Sequence, residues 1–270
     1  MKKWSISLLF VITLCALRFA DPWFMEIMRL KALDTHQRNQ QTQILDPIVT
    51  VEIDNKTIRK NGQWPWSRDI LGKEIEHLYK MGAGMVVVPI LFADPDRFGK
   101  DLEFAKTLTR GAVVVGQIPA NEAKGNPTPR GVATIGTDWK PWIYTYKSAV
   151  GPIKIISENA AGVGMMNTTP EADGVVRRLP LVVQIGGKLY PSISLETLRV
   201  AAGDPSYQMK TGEGGVEAVR IPKFSTVFTD QNASIWVDFK YKTKTYSMSD
   251  ELPDLSGKIV ILLKISSLNL

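Results

Sequence analysis

The chain predicts a mixed α/β fold preceded by one N-terminal transmembrane helix, and three observations lead there. It opens on an apolar stretch; β-rich runs then alternate with helical periods as far as Gly116; beyond that, glycine turns separate short strands. The first half predicts strand-helix-strand units and a parallel sheet, the second half antiparallel hairpins. With 270 residues, 44% of them apolar and 22% charged, the chain can bury a large core.

Taken in order, Met1-Lys2-Lys3 leads into Trp4–Ala20, interrupted only by Ser5, Ser7, Thr13 and Arg18. A secretory signal peptide and a membrane anchor share this pattern. No small-x-small cleavage site follows: Ala16 has Leu14 two before it and Ala20 has Arg18. An uncleaved anchor over residues 1–20 is the better reading. Lysines before the segment and Arg18, Arg29, Lys31 and Arg38 at or beyond its end leave the orientation undecided. Asp21-Pro22 then reads as an N-cap with proline at the first helical position. Trp23, Ile27, Leu30 and Leu33 follow at near-helical spacing, so a juxtamembrane helix is expected within residues 21–41.

Ile48–Ile53 reads as a buried strand ending at Asp54. Ser67 opens a helix with Leu71, Ile75, Leu78 and Met81 on one face and Gly82 as its cap. Met85–Val88 is a second strand, Asp101–Thr109 a helix and Ala112–Gly116 a third strand. Gly125–Gly131 is loop by composition, and Trp139–Tyr146 shows no period. Gly186-Gly187 between Val175–Ile185 and Lys188–Tyr190 is a hairpin signal, and Ser192 caps a helix running to Gly203. Short strands are expected at Val216–Ile221, Thr226–Thr229, Ser234–Tyr241 and Lys258–Leu263. No long linker divides the chain, so one mixed domain is expected over residues 21–263, with 264–270 as a short tail.

The composition narrows the chemistry. Lys+Arg 33 against Asp+Glu 27 gives a net charge of +6, but no run of five like charges marks a nucleic-acid surface. One cysteine excludes an internal disulfide, and two histidines, His36 and His77, are too few for a His-based metal cluster. No dinucleotide-binding glycine loop, P-loop or nucleophile elbow is present. Asp54, with Asp94 and Asp96, falls after parallel strands, at the edge where open α/β sheets bind ligands. The competing and favoured reading is that Asp54 caps the next turn and that Asp94-Pro95-Asp96 is itself a turn. Asp173-Gly174 signals another turn, followed by Arg177 and Arg178, whose planar guanidinium groups could clamp an anionic ligand; the competing and favoured reading is a structural pair with a carboxylate such as Asp54. In a strand the two arginines face opposite sides. Trp64 and Trp66 flank Pro65, an arrangement that more often serves packing than ligand binding.

Several runs, in this order, resemble the second type of CHASE domain (cyclases/histidine kinases associated sensory extracellular). They are Gly62-Gln63-Trp64-Pro65-Trp66-Ser67-Arg68, Leu91-Phe92-Ala93-Asp94-Pro95-Asp96, Asp173-Gly174-Val175-Val176-Arg177-Arg178-Leu179-Pro180, Tyr190-Pro191-Ser192 and Gly257-Lys258-Ile259-Val260. The resemblance spans about Arg18 to Ile261. It implies a non-enzymatic extracytoplasmic sensor in the bacterial cytoplasmic membrane. In that family one transmembrane helix precedes the sensor, and further ones lead to a cyclase, kinase or diguanylate cyclase output. Carried over as motif positions, the candidate ligand contacts are Asp54, Trp64, Trp66, Arg68, Asp94, Asp173 and Arg177.

No metal or cofactor is expected. The expected partners are the membrane, a small molecule or envelope stimulus and a second copy through the juxtamembrane helix, with no nucleic acid. Pro89 stands where relatives often carry an aspartate. The ending after Leu263 departs from the family's small-residue segment, from which a chain truncated before its membrane bundle is expected. The rival readings are a structural, partner-binding periplasmic module and a carboxylate-dependent hydrolase using Asp54 and Asp94.

Overall fold

A computed structural model describes residues 2–20 and 22–264. Asp21, expected to cap the juxtamembrane helix, and residues 265–270 of the expected tail lie outside the described residues. Two helices come first: α1 (Lys2–Ala20) and α2 (Trp23–Arg38). Among the described residues no single helix is long and apolar enough to cross a membrane; Ile6–Ala20 and Trp23–Arg38, bent by 86°, meet that test only as a pair.

The β-branched run at Val49–Ile53 sits in β1 (Gln43–Ile53), which starts earlier than the sequence suggests. Pro47 lacks an N–H for the ladder, and the pairing of β1 with its edge neighbour shifts between Ile44 and Val49. There follow α3 (Asn55–Asn61), α4 (Arg68–Lys80), β2 (Met85–Leu91), α5 (Asp101–Leu108) and β3 (Val113–Ala120). The middle of the chain adds β4 (Val132–Gly136), β5 (Thr145–Tyr146), β6 (Ser148–Val150), α6 (Lys154–Asn159) and β7 (Gly162–Met165). Next come β8 (Arg178–Pro180), β9 (Val182–Ile185), β10 (Lys188–Pro191) and α7 (Ile193–Ala201). The chain continues through β11 (Tyr207–Gly212), β12 (Gly215–Ile221), β13 (Ser225–Phe228), β14 (Ser234–Trp236), β15 (Tyr241–Ser247) and β16 (Ile259–Lys264).

The expected parallel sheet is present and larger than its local signals. Its order is β15-β1-β16-β2-β3, with β7 parallel to β3 and β6 antiparallel to the end of β3. The second half is therefore only partly antiparallel. The Gly186-Gly187 hairpin joins β9 to β10, and β11, β12 and β13 form an antiparallel set with β4 added in parallel. But β7, β15 and β16 return to the parallel sheet, and β16 inserts between β1 and β2. Two expected strands are also broken. Val175–Ile185 begins only at Arg178 and pauses at Leu181, and Ser234–Tyr241 is cut by an Asp238–Lys240 turn.

Alternation along the strands divides the core. Val86, Val88, Val113 and Val115 pack with Leu71, Ile75 and Leu78 of α4 and Phe104 and Leu108 of α5. Met85, Val87 and Val114 turn to the other face, against Ile193 and Val200 of α7. Helices thus cover both faces, and the carboxyl ends of the parallel strands β1, β2, β3 and β7 fall together at one edge of the sheet.

Candidate functional site

The sheet edge carries a crevice of about 320 Å³ between the loop before α4 and the loop after β2. Trp66 is buried and donates its indole N–H to the Gly62 carbonyl at 2.8 Å. Trp64 stands against it edge-on, ring centroids 5.4 Å apart, across a cis Trp64-Pro65 bond. Arg68 begins α4 and lays its guanidinium 4.4 Å over the Phe92 ring. Its Nε lies 3.5 Å from Asp101 Oδ1, and both atoms are buried without a hydrogen bond, which makes this an ion pair at a distance. Burial draws the Arg68 pKa down, while Asp101 and Asp96 pull it upward without restoring it. Asp94, at the mouth, is exposed and pairs with Lys124 at 2.8 Å. Arg97 donates to the Pro65 carbonyl at 2.9 Å, tying the two loops together.

Trp64, Trp66, Arg68, Asp94 and Asp96 therefore line one crevice. Asp54 does not line it. Its carboxylate caps α3, accepting from the Thr57 amide at 2.8 Å and the Thr57 hydroxyl at 2.7 Å. Burial works to raise the Asp54 pKa, but the hydrogen bonds from Thr57 and Ser247 outweigh it and the value is lowered. Among the described residues, no three His, Cys, Asp or Glu side chains converge to hold a metal ion.

Asp173 and Arg177 belong to a second constellation, away from the crevice. Gly174, at φ +78°, makes the turn that lets Asp173 and Arg177 face one another. The Arg177 side chain is 2% exposed and satisfies two carboxylates at once. It donates from Nε and Nη2 to Asp34 of α2 at 2.7 and 2.8 Å, and from Nη1 and Nη2 to Asp173, both at 2.8 Å. These bonds hold both carboxyls below the usual carboxylate range and push the guanidinium up. Arg178 points the other way, as the strand period requires, to Glu171 at 2.6 and 2.8 Å, with the Trp236 ring 5.2 Å away. The carboxylate partners of the tandem arginines are thus Asp34 and Asp173 for Arg177, and Glu171 and, at 3.3 Å, Asp230 for Arg178, rather than Asp54. Buried Leu30 and a hydrogen bond from Gln37 to the Val237 carbonyl at 3.1 Å add to the attachment of α2.

One buried polar cluster has no counterpart in the sequence reading. Glu196, fully buried in α7, accepts from Arg199 at 2.8 and 2.9 Å, from Arg130 at 3.1 Å and from the Tyr207 hydroxyl. Every carboxylate lone pair direction has a donor, as an internal brace requires. Only the Glu196/Arg199 spacing within one helix was there to signal it.

Searches of curated proteins and of solved structures gave no significant match. A protein-family model, the CHASE2 domain, matches residues 7–262, nearly the whole chain. The match takes in the tryptophan loop, the crevice and the arginine clamp together. The chain belongs to the CHASE2 family, a family of extracytoplasmic sensory rather than catalytic domains.

Proposed function

We propose that this chain is the membrane-anchored input module of a bacterial signalling protein, with α1 in the cytoplasmic membrane, the body outside it and α2 as the lever between them. The observation that carries the reading is the Arg177 clamp. One buried guanidinium joins Asp34 of the helix next to the anchor to Asp173 of the sensor body, so movement in either is felt by the other. The anchor role is supported by α1 itself. Ile6, Leu8, Leu9, Phe10, Val11 and Phe19 are all exposed around the helix, with none of the described residues burying them. Nineteen residues reach about 28 Å, and Trp23 and Phe24 follow where an interfacial aromatic belt would lie.

In this reading Trp64, Trp66, Arg68 and Asp94 face the stimulus, Arg177 and Asp173 transmit it, and Asp54 is structural. The hydrolase alternative loses ground because Asp54 spends its carboxylate on the α3 cap, outside the crevice that Asp94 lines.

The test is hydrogen exchange on the full chain in neutral-detergent micelles. Asp34→Asn should raise amide exchange over 23–38 by about tenfold or more while β2 and β3 stay protected. Unchanged exchange in α2 would remove the lever. For the anchor, alkaline carbonate should leave the full chain in the membrane pellet; release into the supernatant would overturn that part.

A further inference from the structure

The groove on the other side of the clamp gathers positive charge. About 370 Å³ in volume, it runs between the carboxyl half of α2 and the start of β15. Lys31 and Arg38 line it from the helix, Lys240 from the turn before β15 and Lys242 from β15 itself. Asp34 and Arg177 meet at its floor. Five cationic side chains thus face one carboxylate, and that carboxylate is already engaged by Arg177. Two further acids stand just outside: Asp173, 3.7 Å from Lys31, and Asp238, 2.9 Å from Lys240. Counting both, the site still holds two uncompensated positive charges. Arg38 and Lys242 have no ion pair among the described residues. Gln37, Gln40 and Thr42 add neutral donors along the same wall.

We infer that this groove binds a phosphate-class oxyanion, free or as a phospholipid headgroup. Like charges converging on a concavity repel one another, and an oxyanion with several acceptor oxygens would relieve that repulsion while using the guanidinium and ammonium donors. The volume suits a small ligand and is too small for a nucleic-acid strand with its flanking backbone. The site bridges α2 and β15, so a bound anion ties the lever to the edge of the sheet. That consequence rests on the lever reading; the binding itself does not.

The experiment uses the full chain and two probes. In neutral-detergent micelles, inorganic phosphate is titrated by calorimetry at constant ionic strength set with chloride. Exchange over 23–38 is compared in the micelles with and without phosphate and, in parallel, in nanodiscs of phosphatidylcholine alone or with phosphatidylglycerol. Arg38→Gln combined with Lys242→Gln should weaken phosphate affinity about tenfold. A control pair, Lys188→Gln with Lys210→Gln, should leave it unchanged. Phosphate binding in micelles identifies a free anion. Protection that appears only with phosphatidylglycerol, and is lost in the Arg38/Lys242 double variant, identifies the headgroup. Equal response of wild type and that double variant to both probes overturns the site and assigns the lysines to protection of the sheet edge. Phosphate binding without a change in α2 exchange keeps the site and removes the lever.

Discussion

Asp54 and Arg177 show how differently single residues speak. Asp54 sits after a strand and before Thr57, and the local pattern already carries its capping role: both Thr57 bonds that make the cap are three residues away. Asp54→Ala should cost about 1 kcal/mol, read from urea unfolding of the full chain. The cap also sets a pH dependence. The folded Asp54 and Asp173 pKa values lie below the ordinary 3.8, so their stabilisation is complete above that value and is lost as pH falls through the lowered ones. Below pH 4 the wild type should therefore lose melting temperature more steeply than Asp173→Asn, which carries no titrating group there. Arg177 is harder to read. The Asp173-Gly174 turn was evident in the sequence, whereas Asp34 is 143 positions away and nothing local announces it.

At the scale of elements, what the sequence disclosed was whatever depends on near neighbours. Val86-Val87-Val88 is a strand because three β-branched residues in a row favour extended backbone, and Leu71, Ile75 and Leu78 declare the buried face of α4. The adjacency of strands is another matter. Lys258–Leu263 looked like one more short strand of an antiparallel half, because partner choice is a property of distant segments. Close approach between elements is equally hidden in glycines. At Gly164 of β7 a Cβ would meet the Ile193 backbone Cα at 2.3 Å, so α7 lies almost on the strand. At Gly116 the obstacle is the Met166 side chain, which can swing away. Gly164→Ala should destabilise by about 1–3 kcal/mol and Gly116→Ala by clearly less, measured by denaturant unfolding of both. Equal costs would mean that the α7 contact yields.

Across the whole molecule, the rule that parallel strand ends share a ligand edge found only part of the crevice: it placed Asp94 and Asp96 there, but also Asp54, which caps α3 instead. Trp64, Trp66 and Arg68 lie beyond α3, out of reach of that rule, and were candidates only through the family resemblance. The clamp on α2 and the Glu196 brace depend on the assembled body, and no such rule foretells them. Because β16 stands between β1 and β2, the first strands have no continuous sheet until the last one arrives. A fragment ending at residue 120 should therefore show no cooperative thermal transition by circular dichroism, while the full chain does. A cooperative fragment would mean that β1 and β2 can pair without their intervening strand.

That insertion has a mechanical side. β1 and β16 run parallel, in register from Ile48 against Ile259 to Ile53 against Lys264. The chain enters β1 at one edge of the sheet and leaves β16 at the opposite edge, so tension applied through α2 and opposed beyond Lys264 would draw the two strands past each other lengthwise. The hydrogen bonds between them would then be loaded together in shear, and the pair would resist as a unit where a hairpin pulled from its open end yields one bond at a time.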